Sequence, residues 1–285
     1  MIMLTDRIYG TYEITGVLEE LLSDSQVKRL AGIHHSGAIF LVNPLIAHNR
    51  LEHSIGVMLL IRMLNGSELE QVAGLLHDIS HTVFSHVGDY VFNNRAEDHH
   101  EQIFERLLST GEIPFILEKY GYTLDQVLNG TFNILEQPLP RLCADRLDYT
   151  LRDAVHARFI SKEKACSFLK YVVLQNGVIV IKNRVQASWI NDLYKRLNEE
   201  IYNEPLYVYA NQQMALLIRD SIADNTLKEE DLLKDDTYML NKLRSTVRGL
   251  EAIKAIKTRK GYSEFMREGP TLKIKQRHLD APFLN

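Results

Sequence analysis

Apolar side chains recur along much of this chain every three or four residues, the spacing that lines one face of an α-helix. Val17, Leu18, Leu21, Leu22 and Val27 predict a helix over residues 17–31, with Lys28 and Arg29 near its end. Gly32, Gly37, Pro44 and Asn49 then break the pattern, so 32–49 reads as mostly loop. The period returns from Arg50 to Leu64 through Ile55, Leu59, Ile61 and Met63, stops at Asn65-Gly66-Ser67, and resumes from Glu68 to Ile79. A bend over 80–85 leads into a helix through Val87, Val91 and Phe92. Another helix runs from His99 to Leu108, and Gly111 and Pro114 interrupt the chain soon after it. Pro138 and Pro140 precede a helix carrying Leu142 through Val155.

Past residue 160 the period changes once. Two β-branched runs within 171–181 flank Asn176-Gly177, and the tolerance of Asn-Gly for positive φ marks a hairpin turn. Helices follow near 187–198 and 211–223, while the basic stretch 254–277 has no readable period and suits a small subdomain or subunit contacts. The expected fold is therefore all-α, with a small β-hairpin in the C-terminal half. Its core occupies 1–160, and the hairpin and helices of 161–285 pack on that core and contribute substrate and oligomer contacts.

Composition narrows the partners more than the fold. With 45% hydrophobic and 25% charged residues the chain is that of an ordinary folded protein, and a net charge of -4 leaves no broad basic footprint for extended nucleic acid. Small anions fit this balance better. An acidic residue, Asp6, arrives too early for a signal peptide, and no stretch is long and apolar enough to cross a membrane. Cys143 and Cys166 are too few for a disulfide framework and form no paired motif, which suits a reducing cytoplasm; Cys143 reads as a small buried filler.

The chemistry concentrates in three segments. Leu75-Leu76-His77-Asp78-Ile79-Ser80-His81 sets an imidazole beside a carboxylate, Arg50-Leu51-Glu52-His53 places Arg50 and His53 on one helical face, and Asp145 lies in the run Asp145 to Asp153. Taken singly, each histidine is a hydrogen-bonded core or turn residue. Taken together, two imidazoles and two carboxylates from three helices can hold a divalent cation and leave room for water and substrate. Such an ion lowers the pKa of its water and draws electron density from a phosphoryl oxygen. Asp148 and Arg152 are also four apart, on a face assigned away from Asp145, and read as an ion pair.

The segments His48-Asn49-Arg50-Leu51-Glu52-His53-Ser54-Ile55-Gly56-Val57, His77-Asp78-Ile79-Ser80-His81-Thr82-Val83-Phe84-Ser85-His86 and Asp145-Arg146-Leu147-Asp148-Tyr149 resemble the HD-domain phosphohydrolases, particularly the deoxynucleoside triphosphate triphosphohydrolase branch. The resemblance implies a helical HD-domain fold with one divalent metal on His53, His77, Asp78 and Asp145; Mn, Fe, Mg, Zn, Ni and Co all suit such ligands. It implies a catalytic group of His81, Asp89 and His100, in which an imidazolium stabilises or protonates the leaving oxygen. Arg50 and Arg146 become phosphate contacts, and Tyr149 and Asp153 phosphate and sugar contacts. His86 is either a pocket residue near the nucleotide or a support for the turn at Phe84. One departure stands out: His35, within Gly32-Ile33-His34-His35-Ser36-Gly37, occupies a place where that branch often carries a sugar-holding glutamine. Tyr202 and Tyr209 lie in the helical region that corresponds to the branch's later part, with no base-contacting pattern aligned to them.

The activity this implies is metal-dependent hydrolysis of a dNTP to deoxynucleoside and inorganic triphosphate by a cytoplasmic homo-oligomer. Its alternatives are a nucleotidase or other phosphomonoesterase, which releases orthophosphate, and a nucleotide-binding sensor or assembly protein without turnover.

Overall fold

A computed structural model describes residues 1–94, 96–269 and 277–284, and among these the chain forms fifteen α-helices and two antiparallel hairpins. The all-helical expectation holds, with one hairpin more than the pattern announced. Strands β1 (Ile2–Asp6) and β2 (Gly10–Ile14) pair with Ile2 opposite Ile14 and Asp6 opposite Gly10. Asp6 shapes their turn: its Oδ1 accepts from the backbone N–H of Ile8 (2.7 Å) and Tyr9 (3.0 Å), and Gly10 takes the positive φ of 93° that closes the loop. The expected hairpin is present as β3 (Val172–Gln175) and β4 (Val178–Ile181), with Asn176 and Gly177 both at positive φ.

The helix expected over 17–31 is broken in two. Asp24 is extended, and its carboxylate caps the N–H groups of Gln26 and Val27, so α1 (Gly16–Ser23) ends and α2 (Ser25–Arg29) begins there. The centre of the fold is α3 (Arg50–Met63), capped by the Asn49 side chain, which lies against α4 (Glu68–Leu76), capped by Ser67. Then come α5 (Val87–Val91), α6 (His99–Leu108), α7 (Ile113–Lys119) and α8 (Leu124–Asn129). Pro114, read from sequence as an interruption, sits in the first turn of α7, where its missing N–H costs nothing. Next are α9 (Ala144–His156), α10 (Lys162–Leu169) and α11 (Arg184–Leu197). The chain ends with α12 (Pro205–Ala223), α13 (Asp236–Arg244), α14 (Val247–Lys257) and α15 (Tyr262–Glu268). The basic stretch without a readable period thus begins in α14 and includes α15, and its residues 270–276 lie outside the described residues.

A small cluster of Val208, Tyr209 and Phe265 joins α15 to α12, and most of these elements are held by two large apolar cores. The larger runs from Ile8 through the buried Val57–Ile61 of α3 to Ala281, and the smaller joins Ala38, Val83 and Phe84 to Met214, Ile218 and Ile253. Each draws residues from both sides of position 160. Between them the turn after α4 is wound tightly: Phe84 and Ser85 both take a φ of 55°, a left-handed conformation unfavourable for such residues. It is pinned from three directions. Phe84 N–H donates to Asp236 (2.6 Å), Ser85 Oγ donates to the His34 carbonyl (2.7 Å), and Arg50 Nε donates to Ser85 Oγ (2.9 Å).

Candidate metal centre

Three helix termini converge beside that turn. The first turn of α3 carries Arg50 and His53, His77 and Asp78 follow the last residue of α4, and Asp145 lies in the first turn of α9. The Nε2 atom of His53 is 3.0 Å from Asp145 Oδ1, 3.3 Å from His77 Nε2 and 3.8 Å from Asp78 Oδ2. His77 Nε2 is 3.5 Å from both Asp78 Oδ1 and Asp145 Oδ1. A cation about 2.1 Å from each of its ligands sets neighbouring ligand atoms about 3.0–3.5 Å apart, a spacing that His53, His77 and Asp145 meet with one ligand atom each, while Asp78 faces the two imidazoles with different oxygens.

Both imidazoles are turned to offer a lone pair there. His53 donates Nδ1–H to Asp148 (2.8 Å) and His77 donates Nδ1–H to the Gly74 carbonyl (2.8 Å), which leaves each Nε2 facing the shared point. Asp148 is the ion-pair partner of Arg152, through Nε to Oδ2 and Nη2 to Oδ1, both 2.9 Å. It does not point away from the ligands, however: Asp145 and Asp148 reach opposite nitrogens of His53, because three residues along a helix turn only slightly away from one face. Arg152 also meets Asp6 (3.0 Å), and Arg50 meets Asp78 (2.7 Å). This connected set holds two arginines against four carboxylates, so with neutral imidazoles it is two charges negative, the deficit one divalent cation fills.

The protonation tendencies carry the same message. Burial pulls the His53 imidazole down, yet its hydrogen bonds to Asp145 and Asp148 prevail and push it up to about 10. Burial opposes the charge on His77 too, and Asp78 and Asp145 raise it. Asp78 is buried, which by itself would raise it, but Arg50, His77 and His81 hold it well below the carboxylate range. Burial likewise favours a neutral Asp145, and its hydrogen bonds from His53 and His77 overcome that. Without a metal the cluster gathers protons.

A cavity of about 650 Å³ opens onto this point. On one wall His81 Nε2 lies 3.2 Å from Asp78 Oδ1 and its ring stacks on His100 at 4.1 Å. Asp89 pairs with His86 (2.9 Å) and accepts the N–H of His99 (3.0 Å), so of the expected catalytic group its carboxylate serves His86 directly. Burial, and then Arg50, keep His81 well below the usual imidazole range; burial and then His86 bring His100 down to about 4. Both rings are thus neutral near pH 7 in the free protein. Nδ1 of His100 is buried without a partner, a polar atom left available to a ligand.

On the opposite wall Arg146 is largely engaged with its own loop, donating to the Gln137 carbonyl and the Glu136 carboxylate (3.2 Å each). Tyr149 shares a hydrogen bond with Tyr194 (3.1 Å), and Tyr202 donates to Asp153 Oδ2 (2.6 Å). Asp153 Oδ1 lies 2.7 Å from His48 Nε2, outside hydrogen-bond alignment, and 3.7 Å from His35 Nδ1. Burial and then Arg50 keep His35 well below the usual imidazole range, so it presents a neutral donor and acceptor. Tyr209 is set apart from this group, its hydroxyl donating to the Lys260 carbonyl. His48, Tyr194 and Glu136 were not singled out from sequence; His48 stood within a quoted motif, whereas the other two carry no local signal.

Gly56, one turn after His53, makes the Asp148 contact possible. A Cβ there would come within 2.0 Å of Asp148 Oδ1 and 2.1 Å of Arg152 Nη2. Gly56→Ala is expected to lower stability by about 1–3 kcal/mol through overpacking and to weaken metal retention as well. Chemical denaturation and metal analysis of the purified variant check both; a variant as stable and metal-rich as the parent would mean the pair is free to move.

A helical frame that brings two imidazoles and two carboxylates from three helix termini together beside a cavity of about 650 Å³ defines a metal-dependent hydrolase. The HD domain profile matches residues 50–153, the segment that contains His53, His77, Asp78 and Asp145. The uncharacterized protein YdhJ of Bacillus subtilis is 44% identical over 245 residues, covering 85% of this chain and 75% of its own. The metal-dependent phosphohydrolase cns2 of Cordyceps militaris is 31% identical over 239 residues, 81% of this chain and 69% of its own. The chain belongs to the HD-domain phosphohydrolase family. The deoxynucleoside triphosphate triphosphohydrolase SAMHD1 of Gallus gallus matches a shorter stretch, 31% identical over 149 residues, which is 44% of this chain and 24% of that protein. A crystal structure of a hypothetical protein from Aquifex aeolicus shares the fold, with a TM-score of 0.67 at 20% identity over 93% of this chain and 80% of that one. Among the described residues no helix is long and apolar enough to cross a membrane.

Proposed function

We propose that this protein hydrolyses a phosphate ester of a nucleotide, with a divalent metal held by His53, His77, Asp78 and Asp145. The observation that carries this reading is the pair of Nε2 lone pairs aimed at one point between two carboxylates, each imidazole fixed through its other nitrogen. A bound divalent ion supplies a water of lowered pKa and polarises a phosphoryl oxygen. The chain's residues do the rest. Arg50 holds Asp78 in place and presents its guanidinium to the cavity, while His81 and His100, stacked and neutral, offer ring nitrogens beside the metal point for a proton moving to or from the ester oxygen. Asp153, with Tyr202, His48 and His35 around it, makes a polar recess of the kind that accepts a sugar hydroxyl.

The leaving group distinguishes two finer readings. The local match to SAMHD1 supports cleavage of a dNTP to deoxynucleoside and triphosphate. The charge of the cavity supports a phosphomonoester. Among the described residues the wall offers the cations Arg50, Arg146 and Arg277, paired with Asp78, Glu136 and Glu97 respectively. A phosphomonoester brings a charge of about -2, which a divalent metal can meet, whereas a triphosphate brings roughly twice that to these cations, which are already paired. On this ground orthophosphate release from a nucleoside monophosphate is the preferred reading.

The test is product identity. Purified protein supplied with Mn²⁺ or Mg²⁺ is incubated with dNTPs, NTPs and nucleoside monophosphates. Orthophosphate from monophosphates is the expected result; inorganic triphosphate from dNTPs would establish the other reading, and neither product would remove the hydrolase reading altogether.

A further inference from the structure

The N-terminal hairpin lies outside the segment matched by the HD profile, yet it ends in the charge chain that reaches His53. We propose that Asp6, acting through Arg152 and Asp148, is a positioning residue of the metal centre; this rests on the metal reading given above. The links are continuous and buried. Asp6 Oδ2 meets Arg152 Nη1 at 3.0 Å, Arg152 grips both oxygens of Asp148 at 2.9 Å, and Asp148 Oδ2 takes the Nδ1–H of His53 at 2.8 Å. Side-chain exposure along this path is 5% for Asp6, 2% for Arg152, zero for Asp148 and 1% for His53, so water screens none of these charges.

The chemistry gives Asp6 two effects. Arg152 divides its charge between two carboxylates, and when Asp6 is present Asp148 keeps enough electron density to draw on the Nδ1–H of His53 and make Nε2 a better donor. Without the Asp6 charge, Arg152 bears on Asp148 alone and the His53 bond weakens. The second effect is geometric. The other Asp6 oxygen is fixed by the N–H groups of Ile8 and Tyr9, so the β1–β2 turn is the anchor that stops Arg152, and with it the Asp148 carboxylate, from swinging. Asp148 and Arg152 lie against α3 at Gly56, where a Cβ would come within 2.0 Å of Asp148 Oδ1 and 2.1 Å of Arg152 Nη2. The hairpin is thereby a structural part of the ion site although it contributes no ligand.

Asp6→Asn keeps the size and the hydrogen-bond acceptor of the turn and removes the charge. Mn²⁺ binding, followed by calorimetry with the metal alone, is expected to weaken about tenfold, the lower end for loss of an outer partner of a ligand. Asp6→Glu is expected to recover most of the affinity. The decisive comparison is a cycle: in an Asp148→Asn background, Asp6→Asn is expected to cost no further affinity, because its route to His53 is already cut. The His53 Nδ1–H proton resonance, shifted downfield by Asp148, should move upfield in Asp6→Asn. Ile14→Val, which loosens the buried packing of the same hairpin without touching charge, controls for stability and should leave both readings in place. Wild-type-like affinity in Asp6→Asn, an additive cycle, or an equal loss in Ile14→Val would each overturn the inference while leaving the metal site standing. A wild type that binds no divalent ion would remove both.

Discussion

Asp145→Ala is expected to fold normally and to lose its metal, with affinity falling by more than about a hundredfold and turnover falling with it, because a ligand should matter more than the outer partners whose removal costs 10–100-fold. Asp145 can be removed without stranding a buried charge. Its side chain is 22% exposed at the cavity wall, and its contacts His53 and His77 keep Asp148 and the Gly74 carbonyl through their other nitrogens when it goes. Asp148→Ala should behave differently. That carboxylate is wholly buried, and without it Arg152 is left with Asp6 alone and the Nδ1–H of His53 loses its partner, at a cost of about 3–5 kcal/mol in stability along with weaker metal binding. Metal content after gel filtration and urea midpoints measured on both variants separate the roles. Equal metal loss with equal retention of stability would mean that Asp148 is itself a ligand.

The nearness of His53, His77, Asp78 and Asp145 was legible because each sits at a helix terminus whose cap or period is local. Asn49 caps the helix that starts at Arg50, Ser67 caps the one that delivers His77 and Asp78, and the helix holding Asp145 follows Pro138 and Pro140. A helix end fixes side-chain direction within a turn, so spacing along the chain becomes spacing around an ion. What surrounds the ligands was not legible. The split at Asp24 depends on a carboxylate choosing the N–H groups of Gln26 and Val27 over a continued helix, a competition the apolar period does not record. The first hairpin alternates too weakly to announce itself, and Asp6 meets Arg152 only after the chain has folded across most of the first core. The pairing of Asp89 with His86, and of Arg146 with the loop at Glu136 and Gln137, likewise depends on where loops settle. Motif spacing thus located the cluster of imidazoles and carboxylates, while the charge balance of the cavity, which bears on the substrate, had to come from three dimensions.

Metal affinity is expected to rise with pH from about 6.5 towards 10, by about tenfold per pH unit for each proton released. The cause is the cluster's own protonation. In the metal-free protein, burial disfavours a charged His53, but Asp145 and Asp148 raise it to about 10, and Asp78 and Asp145 raise His77 as well, so at neutral pH an incoming cation must expel protons from Nε2 atoms it will occupy. The sign for folding runs the other way. A raised histidine contributes stability that is complete below its unfolded pKa of about 6.5 and is lost as pH climbs through about 10. The metal-free protein should therefore lose melting temperature between pH 7 and 10, whereas a bound divalent ion, which replaces the protons, should keep the loaded protein level over the same range. At the acid end the depressed Asp78 and Asp145 contribute stability above about pH 4 and surrender it as pH falls through their folded values, so acid should release the metal and unfold the protein together. Melting curves with and without chelator, and calorimetry in buffers of different ionisation enthalpy to count protons, provide the check. An affinity that stays flat from pH 6.5 to 9.5 with no proton release would mean that the imidazoles are already bare before the metal arrives, and that the carboxylates around them do not hold the charge their geometry assigns.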